Sequence, residues 1–186
     1  MYLLLIALAV AGIAANAGAQ RKAIDVERSS LTIHVGRAGL LSAAGHEHSI
    51  SAPISSGVVD DTGVRFAVDA ARLEVKREKG TSAADQAQVQ SNMQTKVLES
   101  SRYPEIAFES TRVERGGGDG WKVDGNLTLH GATRPLTFDV RREGDAYVGT
   151  VRIKQTDFGI QPIRVGRGLV TVKNELDIRF EVYCSQ

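Results

Sequence analysis

His46 and His48, in the stretch Gly45-His46-Glu47-His48-Ser49, form the arrangement in this chain best suited to chemistry. At i and i+2 on a strand, two side chains project from one face, where two imidazoles can share a divalent metal ion such as zinc or copper. His34 and His130 are the only other histidines. Either one, or Glu47 after a local twist, would add a third ligand and leave the open coordination position of a catalytic site. The competing reading is a solvated strand end, because the surrounding residues are polar and two histidines do not by themselves define a site.

Other reaction chemistry has less support. No G-x-S-x-G elbow occurs, and Cys184, the only cysteine, stands two residues from the end of the chain at what reads as an exposed terminus. The run Gly116–Gly120 lacks a following Lys-Ser/Thr and helix, so it reads as a turn and not a phosphate cradle. Arg134, Arg164 and Arg167 are placed either on a solvated surface or at a lipid headgroup phosphate. None of these patterns supports an enzyme, and no cofactor is expected beyond the metal that His46 and His48 could hold.

The 186 residues are 24% charged and 42% hydrophobic, which suits one globular domain. A net charge of +1 and an aromatic content of 5% supply neither the basic surface nor the stacking platform of a nucleic-acid binder. Residues 1–19 read as a signal peptide, with an apolar run from Met1 to Ala15 and the small residues Ala17-Gly18-Ala19 before the cut. That run is shorter than the roughly 20 residues needed to cross a bilayer. Residues 20–186 then form the mature domain. One cysteine allows no intrachain disulfide, so the core and the sheet must hold the fold.

The elements that position these residues are mostly strands. Leu31, Ile33 and Val35 alternate with polar residues, as do Val64, Phe66 and Val68, before the apolar phase switches to Leu73 and Val75. Such a switch predicts a β-bulge near Asp69–Ala71. Between Asn126 and Val140, Leu127 and Leu129 are followed by a turn composition, Gly131–Pro135, and then by Leu136, Phe138 and Val140, which predicts a hairpin. The last strand carries Val170, Val172, Leu176, Ile178, Phe180 and Val182 on one face. Asn174 interrupts that face and is either hydrogen-bonded at a bulge or exposed to a cavity. One helix is predicted over Ala83–Val97, with Ser82 as N-cap and Val89, Met93 and Val97 as its apolar stripe. Regular spacing of short strands predicts a barrel or a sandwich.

Three segments occur in a fixed order: Tyr103-Pro104-Glu105-Ile106-Ala107-Phe108-Glu109-Ser110, then Gly125-Asn126-Leu127-Thr128-Leu129-His130-Gly131-Ala132-Thr133-Arg134-Pro135, then Asp157-Phe158-Gly159-Ile160. Together they resemble the YceI-like family of polyisoprenoid- or lipid-binding periplasmic proteins, over roughly Ile24 to Tyr183. Thr32-Ile33-His34-Val35 matches the family's early histidine strand, whereas the segment Ala44–Ile50 replaces a phenylalanine-containing stretch.

The resemblance implies an all-β fold: an eight-stranded antiparallel, lipocalin-like barrel with one helix packed on its side. It implies a periplasmic location and an apolar interior pocket for an isoprenoid or fatty-acyl amphiphile. Phe66, Val68, Phe108, Leu127, Leu129 and Phe138 are then assigned to the pocket wall, and Met93 to the helix beside the opening. His34, Phe158 and Asn174 complete the ligand-binding set. A membrane-protein partner and a homodimer are further associations left open.

Overall fold

Alternating apolar and polar side chains become, in the computed structural model, one antiparallel sheet curled into a barrel. The structure describes residues 21–38, 48–60, 62–77, 81–165 and 170–185. The predicted signal peptide, residues 1–19, and His46 lie outside the described residues; for His48 only the backbone is described.

Twelve strands are present among the described residues: β1 Lys22–Ala23, β2 Ser30–Ala38, β3 His48–Ser51, β4 Ile54–Asp60, β5 Gly63–Asp69, β6 Glu74–Val75, β7 Glu105–Arg115, β8 Gly120–Leu129, β9 Ala132–Glu143, β10 Ala146–Lys154, β11 Arg164–Val165 and β12 Val170–Tyr183. Their hydrogen-bonded order is β1-β4-β5-β7-β8-β9-β10-β12-β2-β3-β6, with β11 beside β12. The closure lies in β3 and β4. They are one extended segment interrupted at Ala52-Pro53, and β3 pairs with β2 while β4 pairs with β5. Counted as one strand, they join β2, β5, β7, β8, β9, β10 and β12 in the expected eight-stranded ring. Closing the ring gives each of the eight strands two neighbours, with β9 bonded on one side alone over its earlier half. At the other end, β1 fills the gap between β4 and β12: Ile24 N donates to Gly57 O at 2.9 Å, and Asp25 N to Tyr183 O at 2.8 Å.

Two local expectations are corrected. The phase switch after Val68 is a 3-10 turn, Ala70–Arg72, and not a bulge; the Asp69 side chain caps it by accepting from Ala71 N at 2.9 Å. The β8–β9 turn consists of His130 and Gly131 alone, with φ of 51° and 72°. Two successive positive φ values give the turn whose twist matches that of paired strands. Ala132–Pro135 are therefore strand residues. Pro135 is tolerated there because β10 pairs β9 only from Val140 to Glu143, leaving the earlier half of β9 bonded on one side.

The helix α1, Ala83–Asn92, continues as a π-helical turn, Met93–Val97, and together they cover the predicted span. Ser82 caps it, accepting from Asp85 N at 3.1 Å. The sequence stripe at four-residue spacing has a polar counterpart in Gln86, Gln90 and Gln94. Gln90 Oε1 accepts from Val75 N at 2.8 Å, and Gln90 Nε2 donates to Leu73 O at 2.8 Å. Gln86 donates to Val75 O, and Gln94 to Ala70 O and Leu73 O. These amides bind the helix to the outer edge of β6 as a further strand would.

Candidate ligand-binding cavity

Inward-pointing residues of the barrel do not fill it. They surround a cavity of about 890 Å³, within the size range of small-molecule binding pockets. The wall is apolar along its length. Leu31, Ile33 and Val35 contribute from β2, Val123, Leu127 and Leu129 from β8, and Val151 and Ile153 from β10. Val89, Met93 and Val97 close over it from the helix, so the stripe read in the sequence faces the interior.

A row of phenylalanines runs along the wall. Phe66 on β5, Phe108 on β7, Phe138 on β9 and Phe180 on β12 have successive ring centroids 5.6, 5.4 and 5.5 Å apart. At these distances aromatic rings attract through tilted and edge contacts beyond simple burial. The intervening strands β8 and β10 carry Gly125 and Gly149 at their inward positions. A Cβ at Gly125 would meet the Phe108 ring and come within 2.6 Å of Glu109 O. At Gly149 it would meet the Phe180 ring and come within 2.6 Å of Asp139 O. Glycine at these two positions lets the rings lie flat against the barrel wall.

Polar lining is divided between the two ends. Lys22, Asp60 and Arg115 stand at the end opposite the helix, together with Trp121 and Tyr147, whose rings are 5.6 Å apart. Thr62 bonds to Asp60 and holds its carboxyl below the usual carboxylate range. Cys184 also lines this end, and burial pushes its thiol pKa up. Its expected place at an exposed terminus is corrected: the backbone bridges Ile24 and the side chain is half-buried. At the helix end the described polar lining is Asn92, Gln155 and Thr171, all uncharged.

Of the residues assigned to the ligand, Phe66, Val68, Met93, Phe108, Leu127, Leu129 and Phe138 line the cavity. Three do not. His34 is exposed on the outer face of β2, bonded to Ser49 at 3.3 Å, because its neighbours Ile33 and Val35 take the inward positions. Phe158 is buried in the 3-10 turn Gln155–Phe158, outside the cavity lining. Asn174 sits where the β12–β2 register shifts between Val172 and Leu176. Its Oδ1 accepts from Thr156 N at 3.0 Å and its Nδ2 donates to Thr156 Oγ1 at 2.9 Å, which is the bulge alternative. Arg134 and Arg164 are exposed, and Arg167 lies outside the described residues. Among the described residues no group of three His, Cys, Asp or Glu side chains is placed to hold a metal.

Sequence reasoning missed Gln155. The signal was the inward parity of β10: Tyr147, Gly149, Val151 and Ile153 continue to position 155. The three signature segments prove to be neighbours. His130 Nδ1 lies 3.2 Å from Phe158 O, its ring packs 4.4 Å from that of Tyr103, and a Cβ on Gly131 would come within 2.5 Å of the Tyr103 ring. They fasten the helix end, the β8–β9 turn and the turn after β10 to one another.

Comparison with known proteins gives the same picture. The model of the YceI-like domain matches residues 23–184. A UPF0312 protein of Shewanella baltica is 26% identical over 168 residues, covering 82% of this chain and 81% of that relative. One from Pseudomonas savastanoi is 30% identical over 124 residues, 61% of this chain and 62% of the relative, so the match spans less than two thirds of that protein. Among solved structures, BcnA of Burkholderia cenocepacia superposes with a TM-score of 0.59 at 17% identity, over 87% of this chain and 99% of the other. A polyisoprenoid binding domain from Saccharophagus degradans superposes with a TM-score of 0.57 at 14% identity, over 90% and 99%. At these identities the shared property is the fold. Among the described residues no helix is long and apolar enough to cross a membrane.

Proposed function

Because the chain belongs to the YceI-like domain family and its barrel surrounds an apolar cavity, we propose that it is a non-catalytic periplasmic carrier of an isoprenoid or fatty-acyl amphiphile. The observation that carries this reading is the continuous apolar wall around about 890 Å³. An extended hydrocarbon needs no directional partners along its length. Each methylene removed from water contributes about 0.8 kcal/mol, so ten of them offset the cost of ordering a flexible tail. The polyisoprenoid-binding description of the Saccharophagus domain supports the same ligand class, and the apolar leader supports export. Organic extraction of the purified protein followed by mass spectrometry tests the proposal. A stoichiometric amphiphile is expected; a protein that yields none and takes up none from prenyl or acyl vesicles is not a lipid carrier.

A further inference from the structure

We propose that Gln155 anchors the polar end of the bound amphiphile, and that this end is a neutral hydrogen-bond donor such as an alcohol or an amide. The inference rests on the carrier reading above. Gln155 is 4% exposed to solvent, yet it lines the cavity. Its Nε2 donates to Lys173 O at 2.7 Å. A backbone carbonyl only accepts, so this bond fixes which end of the amide is nitrogen and leaves Oε1 as the unused end. The Nε2 bond is the side-chain hydrogen bond that Gln155 makes among the described residues. Among the described residues the fully enclosed unpaired polar atoms are Thr81 Oγ1 and Gln94 Oε1. Gln155 Oε1 is not one of them, so it opens on the cavity, and an amide oxygen opening on an apolar cavity favours a ligand that brings a donor to it.

The charge distribution sets the class of headgroup. Lys22, Asp60 and Arg115, the charged side chains of the lining, all stand at the end opposite the helix. Around Gln155 the described polar lining is Asn92 and Thr171, and neither carries a charge. A phosphate or an ionised carboxylate drawn in there would meet no charged side chain in the described lining, the Lys173 side chain lying against Gly36 outside it, whereas a hydroxyl or an amide N–H needs only the acceptor. The ligand thus enters with its polar end at the helix and its tail against the phenylalanine row.

Geranylgeraniol, its methyl ether and geranylgeranyl phosphate, titrated into delipidated full-length protein and followed by Trp121 fluorescence, test this. The alcohol is expected to bind about fivefold more tightly than the ether, the difference one neutral hydrogen bond makes, and the phosphate no better than the ether. In Gln155→Met the alcohol falls to the ether's affinity while the ether is unchanged. Equal binding of alcohol and ether to the wild type overturns the inference and leaves the carrier reading standing, so the result holds even where the variant fails to fold. A preference for the phosphate, or an alcohol preference that survives in Gln155→Met, overturns it too. Failure of all three probes to bind removes both proposals.

Discussion

His130 Nε2 lies 2.8 Å from Glu99 Oε2, joining the turn between β8 and β9 to the segment that leaves the helix. The histidine side chain is 13% exposed, and its Nδ1 faces a second acceptor, the Phe158 carbonyl. Each partner is in an unusual position, for Glu99 and His130 are the two non-glycine residues with positive φ among those described. The bond therefore holds two strained backbone positions together. Replacing His130 by Ala should destabilise the protein by about 1 kcal/mol, the net worth of an ordinary hydrogen bond, because the Glu99 side chain left behind is 40% exposed and is taken up by water. Urea unfolding measures it, and a change below a few tenths of a kcal/mol would show that the junction is ornamental.

The inward glycines should be intolerant of even a methyl group. Gly149→Ala drives a Cβ into the Phe180 ring and toward the backbone carbonyl of Asp139, which cannot yield as a flexible side chain would. Overpacking of this kind costs about 1–3 kcal/mol. Gly117→Ala is the control, since nothing lies within 4 Å of its Cβ position and its φ is unexceptional. Thermal melts that place both variants at the wild-type temperature would refute the tight approach of ring to wall.

Filling the cavity should separate lipid binding from stability. Val151 faces the cavity from β10. In a packed core, Val151→Phe would force neighbours off their rotamers; in an open one the ring has room. The expected outcome is a melting temperature equal to or above that of the wild type, together with a marked loss of co-purifying amphiphile. A large drop in melting temperature with lipid content unchanged is the contrary result.

Cys184 provides a native reporter of occupancy. Burial raises its thiol pKa, so at neutral pH less of it is the reactive thiolate than in the unfolded chain. For a raised pKa the sign runs one way: the folded state favours the protonated thiol, and that preference is lost as pH rises through the raised value. Alkylation by iodoacetamide should be slow at pH 7, accelerate above the pH at which a free cysteine ionises, and slow again when a ligand fills the cavity it lines. A rate that matches free cysteine at every pH, or ignores added ligand, contradicts this placement.

Most of the wall was legible because a strand repeats every two residues: Phe66, Phe108, Leu127 and Phe138 face inward as their alternation requires. The helix was equally open to reading, since Ser82 and the Val89–Met93–Val97 stripe are local signals. Misreadings arose where side chains override periodicity. Asn174 keeps the parity of the apolar face but serves a bulge, and its partner, Thr156, is distant in sequence. His34 matched a family pattern, yet strand parity alone turns it outward. Gln155 looks like surface because it is an isolated glutamine at a strand end, although the inward parity of β10 reaches it and the fold buries it. The His130 junction draws on residues up to 31 positions apart and has no local signature.

Gln86 and Gln90 on α1 and Gln94 on the π-helical turn after it govern how copies of the protein can meet. Strand β6 is paired to β3 on one side, and on the other its Val75 N–H and the Leu73 and Val75 carbonyls are already bonded to Gln86 and Gln90. A neighbouring chain that tried to extend the sheet there would find its docking groups occupied, and would have to peel away the helix to reach them. The side-chain amides thus act as a chain terminator for sheet growth at the β6 edge.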